Sequence, residues 1–182
     1  KFAEPTYLEY GFGELEHKVI KPDICCRCGT CEAFCPRIDH VENRPDLVNY
    51  DPLCGLCFTY CPRTFLDMAA MESKLFGRTR KEDEALGIYK KAVSAQAQPV
   101  LEAAQDGGVA TALLIQALQS GMIDCAIVTS RDEEWRTQTL IATSPEEIRS
   151  AAGTKYTIHN SVMAVKDALE MGYKKIGFVG TP

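Results

Sequence analysis

The chain has 182 residues, of which 46% are hydrophobic and 25% charged, and its net charge is −5. That composition is enough to bury a core in one large domain or two small ones. No apolar run is long enough to cross a membrane. The sequence also lacks a block of basic residues of the kind that binds the phosphates of nucleic acids. We therefore expect neither a membrane span nor a nucleic-acid partner.

The unusual number is the cysteine content: nine in the chain, of which eight lie between Cys25 and Cys61. A secreted module held by disulfides is usually shorter, with its cysteines spread along the chain. Residues 1–10 also lack the pattern of a signal peptide. We therefore expect thiols that bind metal in a protein that is cytoplasmic, or peripheral to a membrane complex.

The domain organisation follows from changes in composition along the chain. Residues 1–20 carry little pattern and are predicted to be an N-terminal extension. Residues 21–72 hold the clustered cysteines and five prolines, which favour short turns wrapped around an internal group. The charged run that follows predicts a linker at 73–85, and an α/β domain is predicted for 86–182.

The second half alternates between strand and helix patterns. Turn and capping signals such as Gly107-Gly108 and Ser144-Pro145 mark where helices begin. The predicted elements are a strand Tyr89–Ala95, a helix Val109–Leu118, a strand Ile123–Thr129, a helix from Ser144 to Ala152, a helix from Asn160 or Ser161 to Met171, and a strand Ile176–Val179. Such alternation predicts a mostly parallel sheet covered on both faces.

The first cysteine run has the spacing C-x-x-C-x-x-C-x-x-x-C-P over residues 25–36. Bacterial ferredoxins use this run for iron–sulfur clusters, with the fourth cysteine turned to a second cluster. Three cysteines spaced in this way let one tight loop place three thiolates on one cluster. Zinc is the alternative, although structural zinc sites usually take two cysteines from each of two separated segments.

The second run, over residues 54–62, is one cysteine shorter. If the fourth cysteine of each run crosses to the other cluster, as in two-cluster ferredoxins, each cluster draws on both runs. Cluster one is then predicted to bind Cys25, Cys28, Cys31 and Cys61, and cluster two to bind Cys35, Cys54 and Cys57.

The missing ligand of cluster two belongs three residues before Cys54, and Asp51 occupies that position. A carboxylate can bind iron, although it is a harder donor than thiolate. We hypothesise that Asp51 is this ligand; the alternatives are a 3Fe–4S cluster, a solvent ligand, or Cys26 reaching across. Cys125 lies in an apolar strand and is predicted to be a core residue.

Beside these motifs, Gln105-Asp106-Gly107-Gly108 forms a glycine turn that opens a helix, whose amides can face a phosphate. A simple tight turn is the alternative. Together with other motifs in the same order, this turn resembles the beta-subunit family of coenzyme F420 hydrogenases and dehydrogenases, including members with an N-terminal ferredoxin module. The other motifs are Leu86–Ala95, Trp135, Gly153-Thr154-Lys155-Tyr156 and Gly180-Thr181-Pro182.

The resemblance implies an α/β fold in which a small ferredoxin-like two-cluster module precedes a mostly parallel flavin-binding domain, truncated relative to the family after Pro182. It implies FAD as a cofactor and coenzyme F420, a deazaflavin, as the substrate. The residues implied to line the flavin are Gln105, Asp106, Gly107, Gly108, Thr111, Gly153, Thr154, Lys155, Tyr156, Gly180, Thr181 and Pro182. Lys155 is expected to meet a phosphate or the isoalloxazine, or else to be a surface lysine, and Trp135 is expected to be a core or lid residue.

We therefore expect an F420-dependent oxidoreductase subunit of the kind found in methanogen-type energy metabolism. It would pass electrons from reduced F420 through FAD and two 4Fe–4S clusters to a partner enzyme. Hydrogenase, formate dehydrogenase, heterodisulfide reductase and sulfite reductase are the partner types implied. The alternatives are a ferredoxin-type carrier or docking module without flavin, and a zinc-stapled interaction domain.

Overall fold

Two small sheets, each with its own helices, organise the chain in the computed structural model, which describes residues 11–42, 44–49, 54–101 and 103–180. The elements in chain order are α1 (Phe12–Leu15), a π-helical turn (Glu16–Ile20), α2 (Thr30–Phe34), β1 (Ile38–Val41), β2 (Arg44–Leu47), α3 (Leu56–Thr59), α4 (Met68–Phe76), α5 (Val109–Gln119), β3 (Cys125–Arg131), β4 (Thr137–Ala142), α6 (Pro145–Ser150), α7 (Met163–Glu170) and β5 (Ile176–Phe178). None of the helices in these ranges is long and apolar enough to cross a bilayer.

The cysteine-rich half has a small core built from short elements. Leu15 ends α1, and Val19 lies four residues further on in the π-helical turn; they are 1% and 0% exposed. They pack with Ile38 of the antiparallel β1–β2 hairpin and with Cys57 of α3. Residues 12–20, predicted to be an extension, are therefore part of the core of the cysteine module.

The segment predicted as a linker is partly helical. Asp67 caps α4 by accepting a hydrogen bond of 2.8 Å from the Ala70 amide, and Gly77 ends the helix with a φ of +73°. The chain then folds back, and Arg80 forms an ion pair of 2.7 Å with Glu72. The linker predicted at 73–85 thus begins inside α4 and continues as a turn packed against that helix.

The second sheet has the strand order β4-β3-β5, in which β3 pairs with β4 antiparallel and with β5 parallel. The prediction of a mostly parallel sheet is wrong for these strands, because the sequence pattern did not reveal β4, which returns along β3 through a hairpin. The predicted strand Tyr89–Ala95 is also wrong: this segment is irregular and exposed at every residue. With no buried side, it lacks the half-buried face that stabilises a strand.

The prediction that helices cover both faces of the sheet is confirmed. Ala126 of β3 faces α5 and α6, while its neighbours Cys125 and Ile127 face α7. This alternation is the period of two expected for a strand between two layers. The capped helix predicted from Ser144 is α6, and its capping box is formed by Ser144 and Glu147.

Three helices begin or end at the carboxyl edge of this sheet. Helix α5 leads back to the start of β3 and α7 to the start of β5, so both helices begin near the carboxyl ends of these parallel strands. Helix α6 follows the antiparallel β4 and so ends at the same edge. Ligands of open α/β sheets bind at such an edge.

Candidate functional site

A first cavity opens beneath the loop of the first cysteine run. Its space of about 360 Å³ includes open solvent, and it is lined by five cysteines. These are Cys25, Cys26, Cys28, Cys31 and Cys61. Cys61 comes from the second run, so the fold brings it to the first run from a distant part of the chain. The four cysteines predicted to bind cluster one therefore face one cavity.

A second cavity, whose space of about 320 Å³ includes open solvent, lies beside Phe12, Ile38 and Leu47. It is lined by Cys35, Cys54 and Cys57, together with apolar side chains and Arg37. Cys35 belongs to the first run and the other two to the second. The cysteines predicted for cluster two thus share this cavity, and the ligation itself stays a prediction.

The groups that repel each thiolate divide the cysteines into the same two sets as the cavities do. Burial raises the pKa of Cys31 to about 12, with repulsion from Glu32, Cys28 and Cys25 adding to it. Burial likewise raises the pKa of Cys57 to about 11, and the added repulsion there comes from Cys35 and Cys54. Thiols of this kind ionise when a metal ion supplies positive charge.

The cavities suit a group of several atoms. In the part of the chain that the structure describes, no three His, Cys, Asp or Glu side chains converge as they would around a single ion. In an iron–sulfur cluster each thiolate binds a different iron, so the thiols surround a space instead of one point. The donor set and the cavities fit such clusters.

Cys26 lies at the first cavity, next to Cys28 and Cys61. The alternative in which it reaches across to cluster two receives no support from this position, because the second cavity is lined by other cysteines. Asp51, the hypothesised fourth ligand of cluster two, lies outside the described residues. Its role stays a prediction.

The predicted flavin residues begin at the turn before α5. Asp106 and Gly108 have φ angles of +54° and +66°, so the chain reverses sharply there. A Cβ atom at Gly107 would lie only 2.3 Å from the carbonyl oxygen of Ala95. Glycine is needed at this position because another segment crosses directly over it, and the Ala97 amide donates a hydrogen bond of 2.8 Å to the Gly107 carbonyl.

Two of the predicted segments, far apart in sequence, meet at this turn. The side-chain amide of Gln105 donates a hydrogen bond of 3.0 Å to the Tyr156 hydroxyl. Gly153, with a φ of +85°, also packs close to Ala103, since a Cβ atom there would lie 3.2 Å from the Ala103 carbonyl oxygen. The two motifs therefore form one surface at the carboxyl edge of the sheet.

Lys155 is held by the end of α6. Its Nζ donates hydrogen bonds to the carbonyls of Ala152 and Gly153 at 2.9 and 3.0 Å, and also to that of Ala151. Partial burial, followed by the positive charge of Arg131, lowers the pKa of the lysine. The cation lies at the carboxyl edge, and its part in phosphate or flavin binding stays a prediction.

The remaining predicted flavin residues are less closely grouped. Thr111 is half-buried in the first turn of α5, and Thr154 is exposed beside Lys155. Gly180 follows β5 and packs against Phe178. Thr181 and Pro182 lie outside the described residues.

The cysteine loop and the surface around Gln105 and Tyr156 are joined by one short segment. After Tyr156 the chain runs to Val162, whose amide donates a hydrogen bond of 3.1 Å to the Cys28 carbonyl. Next to it Asn160 packs on Gly29, where an added Cβ atom would lie 3.0 Å from the Asn160 Cβ. The segment therefore links the first cavity to the surface around Tyr156.

A polar group beside this junction was not evident from the sequence. The carboxylate of Glu32, only 5% exposed, contacts Nδ1 of His40 and so ties α2 to β1. Burial and the nearby His40 lower the pKa of His159. The spacing of the histidines gave no signal of this grouping, because the three residues come from three separate elements.

The fold and its two cysteine cavities define a mixed α/β protein with a cysteine module attached to the carboxyl edge of its larger sheet. Residues 92–166 match the family described as "Coenzyme F420 hydrogenase/dehydrogenase, beta subunit N-term". This match confirms the predicted resemblance to the family over residues 92–166.

Relatives of known name support that assignment. A subunit of the F420H2 dehydrogenase of Methanosarcina mazei is 30% identical over 91% of this chain and 47% of its own length. The coenzyme F420-dependent sulfite reductase of Methanocaldococcus jannaschii is 34% identical over 91% of this chain and 25% of its own length. A chain of the F420-reducing nickel–iron hydrogenase complex of Methanosarcina barkeri shares 39% identity over 54% of this chain and 35% of its own, with a TM-score of 0.51. The chain thus spans about half, or less, of the length of these relatives.

Proposed function

We propose that this chain is the electron-input part of an F420-dependent oxidoreductase. The hydride of reduced F420 would enter at the carboxyl edge of the α/β domain, where FAD binds. Single electrons would leave through the two clusters of the cysteine module to a partner enzyme. The names of the relatives support F420 as the substrate class.

The observation that carries the proposal is the segment between Tyr156 and Val162. It touches Gln105 at one end and the Cys28 carbonyl at the other. Electron transfer between the two sites requires that they lie close together in a constant arrangement. This segment holds them in that way. Its backbone bond ends on a residue predicted to bind cluster one.

The division of roles follows from the chemistry of the groups. When bound, FAD would supply the conversion between a hydride, which carries two electrons with one proton, and the single electrons that clusters exchange, with protons released to solvent. The residues of the chain itself would orient the bound flavin and shield it. Gln105 and Tyr156 hold the edge of the proposed pocket, Gly107 permits the close approach of the Ala95 segment, and Lys155 offers a fixed cation.

The residues of the cysteine module hold the other end of this path. Cys25, Cys28, Cys31 and Cys61 would bind cluster one, and Cys35, Cys54 and Cys57 would bind cluster two, with Asp51 as its fourth ligand. Apolar side chains such as Leu15 and Val19 line the first cavity and limit access of water to it.

Anaerobic absorbance of the purified holoprotein tests the proposal. We expect flavin bands and a broad cluster shoulder, both bleached by reduced F420. A shoulder without flavin would identify the alternative, a ferredoxin-type carrier or docking module. A colourless protein free of iron would contradict both.

The junction has a test of its own. Val162→Pro removes the amide that bonds to Cys28, while its φ of −67° already suits proline. We expect slower bleaching of the cluster shoulder at an unchanged rate of flavin reduction, and Val162→Ala, which keeps the amide, serves as the control. Equal rates in all three proteins would show that the rate of electron transfer does not depend on this contact.

A further inference from the structure

Trp135, the single tryptophan of the chain, is presented to solvent at the tip of the β3–β4 hairpin. It is 72% exposed and has a φ of +65°, a left-handed conformation that is unfavourable for a bulky residue. Hydrogen bonds hold this shape: the Trp135 amide donates to the Asp132 carbonyl at 3.1 Å and the Arg136 amide to the Asp132 carboxylate at 2.8 Å. A large apolar ring kept exposed on a strained backbone indicates a functional position and not a core residue.

The ring already carries a cation on one face. The guanidinium carbon of Arg131 lies 3.7 Å from the centroid of the Trp135 ring, within the range of a cation–π contact. Because the tryptophan is largely exposed, the opposite face of the ring is open for another planar group to stack on it. Arg131 is the last residue of β3, so the pair stands at the carboxyl edge of the sheet.

The hairpin is fastened to the proposed flavin surface. Thr137, which pairs with Arg131 across the two strands, hydrogen-bonds through its hydroxyl to the hydroxyl of Thr157. Thr157 directly follows Tyr156, the residue that contacts Gln105. The Trp135 ring therefore belongs to the rim of the same edge and is not remote from it.

Charges of both signs lie around the ring, and Arg131 and Lys155 are the cations that an anionic ligand could contact. Two of the three carboxylates of the hairpin, Asp132 and Glu134, are paired with Arg136. Among the residues that the structure describes, neither Arg131 nor Lys155 has an ion pair with a carboxylate, and the two cations are close enough for Arg131 to lower the pKa of Lys155. The rim therefore offers an aromatic face beside two positive charges.

We propose that Trp135 and Arg131 form a docking platform for the diffusible hydride donor, a planar heteroaromatic coenzyme that carries negative charge. This inference rests on the proposed function and adds to it a place where F420 binds, separate from the FAD pocket. An exposed platform suits a ligand that enters and leaves in each turnover. Trp135 is accordingly a binding residue, in contrast to the core or lid role expected from the sequence.

The test uses the purified holoprotein and measures the Kd of oxidised F420 together with the amounts of bound FAD and iron. We expect Trp135→Ala to raise the Kd roughly tenfold, the scale of one lost ring stack, with FAD and iron unchanged. Trp135→Phe restores most of the affinity, and Arg131→Gln weakens binding less than Trp135→Ala does. Because Trp135 is the only tryptophan, quenching of its fluorescence by F420 reports contact directly.

The control is Phe65→Ala, which removes an equally exposed aromatic ring (77%) from the cysteine module and leaves the Kd unchanged. If the wild-type protein binds F420 and Trp135→Ala binds it with the same affinity, the platform is overturned and the proposed function is not. Loss of FAD from Trp135→Ala also overturns it, because the ring would then belong to the flavin pocket. A wild-type protein that holds FAD and iron but does not bind F420 contradicts the proposed function and the platform together.

Discussion

The two halves of this molecule are held together in different ways. The α/β domain packs apolar side chains on both faces of β3, where Cys125, Ala126 and Ile127 are at most 1% exposed. The cysteine module has helices of four or five residues around a small core, and its remaining interior consists of two cavities ringed by thiols. Helices this short are not stable by themselves.

The difference indicates where the stability of each half comes from. The α/β domain draws on hydrophobic burial, which is present as soon as the chain folds. If the proposed clusters bind in the two cavities, metal binding and folding of the cysteine module are one process. Substitutions at several positions can test this difference between the two halves.

The largest effect is expected from Cys31→Ala, which removes a predicted ligand of cluster one. The first cavity would lose its bound group, and the cysteine module would unfold, while the α/β domain keeps its structure. Iron content and visible absorbance report the first change, and hydrogen exchange across residues 125–178 reports the second.

Cys125→Ala is the matched control, because this cysteine is buried in β3 and not at a cavity. It should retain full iron content. Loss of protection throughout 125–178 in Cys31→Ala would show that the two halves do not fold separately.

The converse experiment is Ile127→Ala, which empties a site that is 1% exposed between β3 and α7. We expect a loss of about 2–5 kcal/mol in the free energy of unfolding of the α/β domain, from lost burial and the cavity left behind. Urea denaturation followed by circular dichroism measures it. Leu113→Ala, at an α5 position that is 65% exposed, should change the free energy by less than about 0.5 kcal/mol.

A smaller effect is expected at the start of α6. Ser144→Ala removes the side chain that accepts a hydrogen bond of 3.3 Å from the Glu147 amide. The loss of such a cap costs about 1 kcal/mol, measurable as a lower Tm of the α/β domain. Ser144→Asn keeps a capping side chain and should match the wild type; an equal fall in both variants would exclude the cap as the cause.

The smallest effect concerns the junction between the halves. Burial, together with His40, lowers the pKa of His159 below its usual value of 6.5, so the unfolded chain binds a proton more readily than the folded one. The contribution to stability is present above that value and is lost as the pH falls below it. We expect the Tm of wild-type protein to fall more steeply than that of His159→Asn between about pH 7.5 and 5.5. Parallel curves would show that this histidine is not responsible.

The sequence predicted the elements whose signals are local. The capping box at Ser144, the glycine turn before α5 and the apolar run of β3 each depend on neighbouring residues, and all three are found. Strand β4 was missed because its TQTLIA pattern is only half apolar and its partner, β3, decides its pairing. Tyr89–Ala95 was wrongly predicted as a strand for the opposite reason: its residues favour strand, but none is buried.

The candidate site shows the same division between local and distant information. The spacing of the cysteine runs predicted the two groups of thiols that line the two cavities. Nothing in the sequence predicted that Val162 would meet Cys28 or that Trp135 would stand exposed with Arg131 on its ring. Contacts of this kind depend on how separate elements pack, which no spacing rule contains.

The hydrogen bond from Val162 to the Cys28 carbonyl has a consequence for assembly of the holoprotein. Any ligand that orders the chain between Tyr156 and Val162 would also favour the loop geometry that Cys28 would need as a ligand of iron. Thermodynamic linkage makes this coupling reciprocal, so an occupied flavin pocket would tighten cluster binding by the same factor as the cluster tightens flavin binding. The backbone bond would thus make the two proposed cofactors cooperative in their insertion.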